Sequence, residues 1–97
     1  MAAYVIVNYN VTHAEAYEAY VPAVMPTLKA YGAEVLVADS ESEVLEGEPG
    51  SKTVILKFES KEAARKWYES PEYQKVIALR LDNSEGTAVL VNELIMP

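Results

Sequence analysis

The chain of 97 residues has no cysteine and only one histidine. Without thiols there is no disulfide framework, no thiolate nucleophile and no cysteine-ligated metal, and a lone imidazole is too little for a histidine-based site. Glycine is scarce too, at four residues. Gly50-Ser51-Lys52-Thr53 has the ending of a phosphate loop, but it lacks the upstream glycine and runs into a strand pattern instead of a helix. No apolar run nears the roughly 18 residues that a membrane span needs. Basic side chains are few, eight against fifteen acidic ones, and the net charge of −7 opposes the phosphate neutralisation on which nucleic-acid and anionic-lipid binding depends. These absences predict a protein with no metal, no cofactor, no nucleic-acid partner and no membrane partner.

The opening segment, Met1 to Asn10, has no basic stretch ahead of its apolar residues and reads as a strand, not an export signal, so the expectation is a cytoplasmic protein. Asn10-Val11-Thr12 matches a glycosylation sequon, which without export is a chance match. Hydrophobic residues make up 51% of the chain, enough for one small domain over residues 1–97 that folds without crosslinks. The aromatic choice is lopsided. Seven tyrosines stand against one phenylalanine and one tryptophan, and several of those hydroxyls must reach water, a partner or a cavity, which points to a partly polar pocket.

Tyr4 to Tyr9 reads as strand one from its β-branched and aromatic content. Thr12-His13-Ala14-Glu15 has the form of a capping box, and Ala14, Tyr17, Val21, Val24, Leu28 and Tyr31 place one apolar stripe on a helix ending at Gly32. Pro22 and Pro26 predict a kink or break near Tyr20 and Val21. Glu34 to Asp39 is strand two, Val44 to Glu46 a possible hairpin extension, and Thr53 to Phe58 strand three. Ser60 caps a helix carrying Ala63, Ala64, Trp67 and Tyr68; Ser70-Pro71 restarts it with a cap and a first-turn proline, through Tyr73, Val76, Ile77 and Arg80. Asp82 to Gly86 is a loop and Thr87 to Leu94 strand four.

The order strand, helix, strand, strand, helix, strand is the ferredoxin-like α+β arrangement, an antiparallel sheet with its helices on one face. Both parities of the strands are apolar: Tyr4 and Ile6 as well as Val5 and Val7, Val54 and Leu56 as well as Ile55, Ala88 and Leu90 as well as Val89 and Val91. Two helices cover one face. The other predicts a second copy of the chain, packed sheet against sheet in a homodimer.

Among candidate chemical groups, His13 lies in the first turn of a helix, usually a solvated position, and Asp39, Glu41 and Glu43 imitate a calcium loop without its glycine or terminal glutamate. Asn8 and Asn92 lie near strand ends and read as edge or turn residues. Tyr73 and Arg80, seven residues apart, share one helical face. The guanidinium either holds a carboxylate bidentately between the rings of Trp67 and Tyr73 or pairs with Glu46 or Glu72 to staple the helix to the sheet.

Glu46-Gly47, Ala63-Ala64, Trp67, Ser70-Pro71-Glu72-Tyr73 and Arg80, with Tyr17, Tyr20 and Tyr31-Gly32, carry a resemblance over nearly the whole chain. The chain resembles the uncharacterised bacterial family called domain of unknown function 1330. That resemblance implies the dimeric α+β barrel superfamily, in which two ferredoxin-like subunits face their sheets together and a cavity lies between each sheet and its helices or loops. The superfamily includes cofactor-independent monooxygenases, muconolactone-type isomerases and non-catalytic sensors, and fold kinship does not choose among them. The expectation is a homodimer binding a small, partly apolar, carboxylate-bearing molecule. Trp67, Ser70, Tyr73 and Arg80 are its candidate contacts and Glu46 its candidate proton acceptor, with isomerase or monooxygenase-type activity. A non-catalytic dimeric sensing or interaction module is the alternative.

Overall fold

A computed structural model describes residues 1–96. The elements run β1 (Ala3–Val11), α1 (Ala14–Tyr17), α2 (Tyr20–Ala30), β2 (Glu34–Asp39), β3 (Lys52–Phe58), α3 (Lys61–Glu69), α4 (Pro71–Gln74), α5 (Ile77–Leu81) and β4 (Ser84–Asn92). The strands form one antiparallel sheet in the order β2-β3-β1-β4, so β1 is central and pairs with β3 and β4. This is the expected ferredoxin-like α+β fold. Among the described residues no helix is long and apolar enough to cross a membrane.

Alternation along β1 sets the two faces. Ala3, Val5, Val7 and Tyr9 are buried under the helices, and Tyr4, Ile6 and Asn8 point the other way, half-buried. The core is a single cluster on the helix face, built on Phe58 and Leu56 of β3, Tyr20, Val24 and Leu28 of α2, and Trp67 and Tyr73 of α3 and α4. On the opposite face the register lines up Val37, Ile55, Ile6 and Val89, one from each strand.

Several boundaries differ from the sequence reading, each for a local reason. The first helix breaks at Glu18 and Ala19, one to two residues earlier than expected. The ring of Pro22 crowds the carbonyl four residues back, on Glu18, so α2 starts after the clash and Pro22 sits in its donor-free first turn. The capping box does not form: Thr12 Oγ1 hydrogen-bonds His13 Nδ1 at 3.1 Å, and the backbone N–H groups of Thr12 and His13 donate to the Asn83 carbonyl instead. Val44 to Glu46 makes no strand, and residues 40–51 form a loop. β4 begins at Ser84 because Val11 and Asn10 of β1 extend its pairing to Ser84 and Glu85.

Other signals formed as expected. Gly32 takes φ 71° and closes α2 with the Ala33 N–H on the Leu28 carbonyl at 2.9 Å. Ser60 Oγ accepts from the Ala63 N–H at 3.0 Å, and Ser70 Oγ from the Tyr73 N–H at 3.1 Å.

Candidate functional site

A cavity of about 130 Å³ lies between the helix face of the sheet and the helices. A void of ~150 Å³ holds one benzene-sized molecule, which fixes the scale of any ligand wholly inside. Its two ends differ. Val24, Leu28, Leu56 and Trp67 wall one end, with Val21, Met25 and Val35, each 38–47% exposed, marking the way out to solvent. Tyr9, Tyr17, Tyr20, Tyr73, Arg80 and Lys52 make the other.

Tyr9 is the sheet's contribution to the polar end, and two glycines fix its backbone. A Cβ on Gly50 would overlap the Tyr9 backbone, and a Cβ on Gly86, its partner on β4, would overlap Tyr9 and the Asn8 carbonyl. The Asn8 side chain clamps the same corner, accepting from the Gly50 N–H at 2.7 Å and donating to the Gly50 carbonyl at 3.1 Å. Asn8 thus ties down the end of the loop, and Asn92 is exposed at the far end of β4.

The tyrosine hydroxyls meet in pairs, Tyr9 with Tyr17 at 2.5 Å and Tyr20 with Tyr73 at 2.8 Å. Burial, then the Tyr17 hydroxyl, pushes the Tyr9 phenol above its ordinary 10.0. Burial, then Tyr73, does the same for Tyr20. Both phenols therefore keep their protons at neutral pH. Each hydroxyl pair contains two protons and uses one between its oxygens, so each has one O–H to give.

Arg80 is 6% exposed. Its Nη2 donates to the Tyr73 hydroxyl at a long 3.4 Å, and its Cζ lies 5.9 Å from the Tyr9 ring centre and 6.0 Å from that of Tyr20. Its Nε–H is buried with no partner. Burial works against the charge, but Tyr73 and Tyr20 outweigh it and hold the proton more tightly than usual. Lys52, opposite Tyr9 on β3, places its Nζ 5.2 Å from the Tyr17 ring centre. The lining contains these two cations and no aspartate or glutamate, in a chain of net charge −7. The side chains of the site offer donors and positive charge, with only weakly accepting phenol oxygens as acceptors.

The family model described as "Domain of unknown function (DUF1330)" matches residues 2–94. The chain belongs to the DUF1330 family. No curated protein matches it in sequence. Among solved structures, this DUF1330 chain is similar to the RPA0582 protein of unknown function from Rhodopseudomonas palustris, with TM-score 0.80 and 17% identity over 98% of this chain and 84% of that one. Methylated RPA0582 gives TM-score 0.78 and 18% identity over 97% and 82%. Rv0793 from Mycobacterium tuberculosis gives TM-score 0.60 and 16% identity over 99% and 98%. At these identities the likeness establishes the fold alone.

Of the residues singled out in the DUF1330 sequence, Trp67, Tyr73 and Arg80 come together at the cavity. The Trp67 and Tyr73 ring centres are 4.0 Å apart, and Trp67 Nε1 donates to Thr27 Oγ1 at 3.0 Å. Ser70 is buried behind them, outside the lining; its Oγ donates to the Trp67 carbonyl at 2.7 Å while capping α4, so it sets the relation of the two rings. Glu46 is exposed in the loop between β2 and β3 and lies outside the lining. The staple reading of Arg80 is corrected as well: neither Glu46 nor Glu72 lines its cavity, and Glu72 instead accepts from the Tyr31 hydroxyl at 2.9 Å. Asp39 Oδ1 closes a turn onto the Glu41 N–H at 2.7 Å, and no metal-holding group of three acidic or imidazole side chains exists among the described residues. His13 is exposed.

Tyr9 and Lys52 were not singled out by sequence. Tyr9 shares the parity of Val5 and Val7, a usable signal for its face. Lys52 needs the register that sets it opposite Tyr9.

Proposed function

We propose that this DUF1330 protein is a homodimeric binding module for a small carboxylate with an apolar body. The observation that carries the reading is the Arg80 guanidinium, more than nine-tenths buried, with its Nε–H unspent and no acidic neighbour on the cavity wall. Buried charges are normally paired, and a planar carboxylate fits the guanidinium edge bidentately. The head enters toward Arg80 and the tyrosine hydroxyls. The body packs on Trp67, Leu28 and Leu56, toward the opening at Val21, Met25 and Val35.

Binding is favoured over isomerase or monooxygenase-type turnover because, among the described residues, the lining has no carboxylate, imidazole or thiol to take a proton near neutral pH. Dimerisation is supported by the row Val37, Ile55, Ile6 and Val89, which leaves β-branched side chains facing water in a single copy. Polar pairs flank that row, Glu34 with Lys57 on one side and Asp39 with Thr53 on the other, as an apolar interface core with a polar rim requires.

Calorimetric titration of the protein with pentanoate and with benzoate tests the reading. Wild type binds at least one of them; Arg80→Met abolishes that binding and moves the melting temperature by no more than about 4 °C. A large loss of melting temperature with unchanged acid binding would mean that Arg80 serves packing instead.

A further inference from the structure

The two cations of the cavity do not stand apart. Arg80 lies over the ring of Tyr9, Lys52 lies over the ring of Tyr17, and those two phenols share a 2.5 Å hydroxyl contact. Both cations therefore border one hydroxyl pair at one end of a cavity of about 130 Å³. A single carboxylate on Arg80 balances one charge and accepts from one guanidinium edge. The O–H left over from the Tyr9–Tyr17 pair would still have no acceptor, and Lys52 none but water.

Resting on the proposal that the cavity binds a carboxylate, we infer that its ligand is a small dicarboxylate, one carboxylate seated on Arg80 and the second drawn to Lys52 and the Tyr9–Tyr17 hydroxyls. Charge balance is the main argument, since two cations and no acid on a largely apolar wall call for a dianion. Donor count is the second. The guanidinium and ammonium groups have no acceptor capacity, so amides, amines and alcohols would each bring a donor whose side-chain partners are only the weakly accepting phenol oxygens, whereas a carboxylate brings none. Lys52 is only half-buried. The second carboxylate therefore sits nearer to water than the first, and Lys52 contributes to discrimination between ligands more than to holding the head group.

Glutarate and pentanoate share a five-carbon chain and differ by one carboxylate, so titrating both into wild type and Lys52→Met separates the inference from the reading beneath it. Wild type is expected to bind glutarate about fivefold more tightly than pentanoate, and Lys52→Met to erase that preference by weakening glutarate more than pentanoate. Circular dichroism of Lys52→Met verifies that the variant is folded, and Lys52→Arg is expected to retain the preference. Equal or tighter binding of pentanoate by wild type overturns the dicarboxylate assignment and leaves the carboxylate site standing. So does a glutarate preference that survives Lys52→Met. Failure of both acids to bind wild type overturns the inference, and failure of benzoate as well overturns the site with it.

Discussion

The two faces of one sheet are made from the same strands, yet they solve opposite problems. Under the helices, Val5, Val7 and Tyr9 continue into a buried core whose polar side-chain atoms include phenol hydroxyls, the hydroxyls of Thr27 and Ser70, one indole N–H and one guanidinium. On the other face, Ile6 and Ile55 are half-buried and Val89 is 50% exposed, with polar groups at the margins. The closed face spends stability on charge in a place that water barely reaches. The open face keeps charge away from its centre. A buried cation surrounded by hydroxyls is a costly arrangement for packing and a useful one for recognising an anion, whereas a bare row of β-branched residues is useful chiefly when another apolar surface covers it.

The sharpest way to break this contrast is to put a charge on the open face. Val89→Asp places a carboxylate in the apolar row while leaving the helix-side core untouched. If two copies meet through that row, each brings one aspartate into the contact, and desolvating unpaired like charges weakens association by about 100-fold or more. Sedimentation equilibrium across concentration reads the effect, with circular dichroism as the check on folding. An unchanged oligomeric state would remove the open face from the interface. Glutarate and pentanoate titrations of the same variant separate the faces further, because the cavity lies on the opposite side of the sheet.

The closed face gives a pH signature that the open face should not share. The Tyr9 and Tyr20 phenols are held above their ordinary 10.0, by burial first and then by their hydroxyl partners. In the unfolded chain these phenols release protons near pH 10 while in the folded chain they keep them, so above that pH the folded state binds more protons. Stability is thus full below about pH 10 and falls as pH rises beyond it. Denaturant midpoints measured from about pH 8 to about pH 11 should be level at first and then drop. The drop should be shallower in Tyr20→Phe, where one of the two phenols is gone. A decline that ignores this substitution would place the alkaline sensitivity elsewhere.

The closed face was also the more legible of the two from sequence. Ser60, Ser70 and Pro71 are local signals that act within one turn, and they fixed where α3 and α4 begin. Trp67, Tyr73 and Arg80 could be grouped because helical spacing joins Tyr73 to Arg80, and the contact persists although the helix is broken into α4 and α5 between them. Alternation in β1 showed that both faces are apolar. Pairing was beyond reach: which residue of β3 stands across from Tyr9 depends on register, and register brings Lys52 to the cavity and aligns Val37, Ile55, Ile6 and Val89. The capping-box reading failed for a related reason, since the Asn83 carbonyl, distant in sequence, accepts from the Thr12 N–H that the Glu15 side chain would have capped.

Glu46 provides the smallest effect and the most direct test of where the polar end of the cavity stops. As a proton acceptor it would have to reach the ligand from the 40–51 loop, but it is exposed there, in a bend beside Gly47, whose φ is 79°. The loop's fixed end is at Gly50, where Asn8 and the Tyr9 backbone hold it, and Lys52, two residues on, already faces the cavity. The boundary between wall and solvent thus falls between Glu46 and Lys52, on a short stretch of chain. Glu46→Gln should therefore change stability by no more than about 0.5 kcal/mol, as for an ordinary surface substitution. It should leave glutarate affinity unchanged, whereas Lys52→Met lowers it. A weakened or strengthened glutarate titration for Glu46→Gln would bring the loop into the site, and with it an acidic group that the cavity as described does not have.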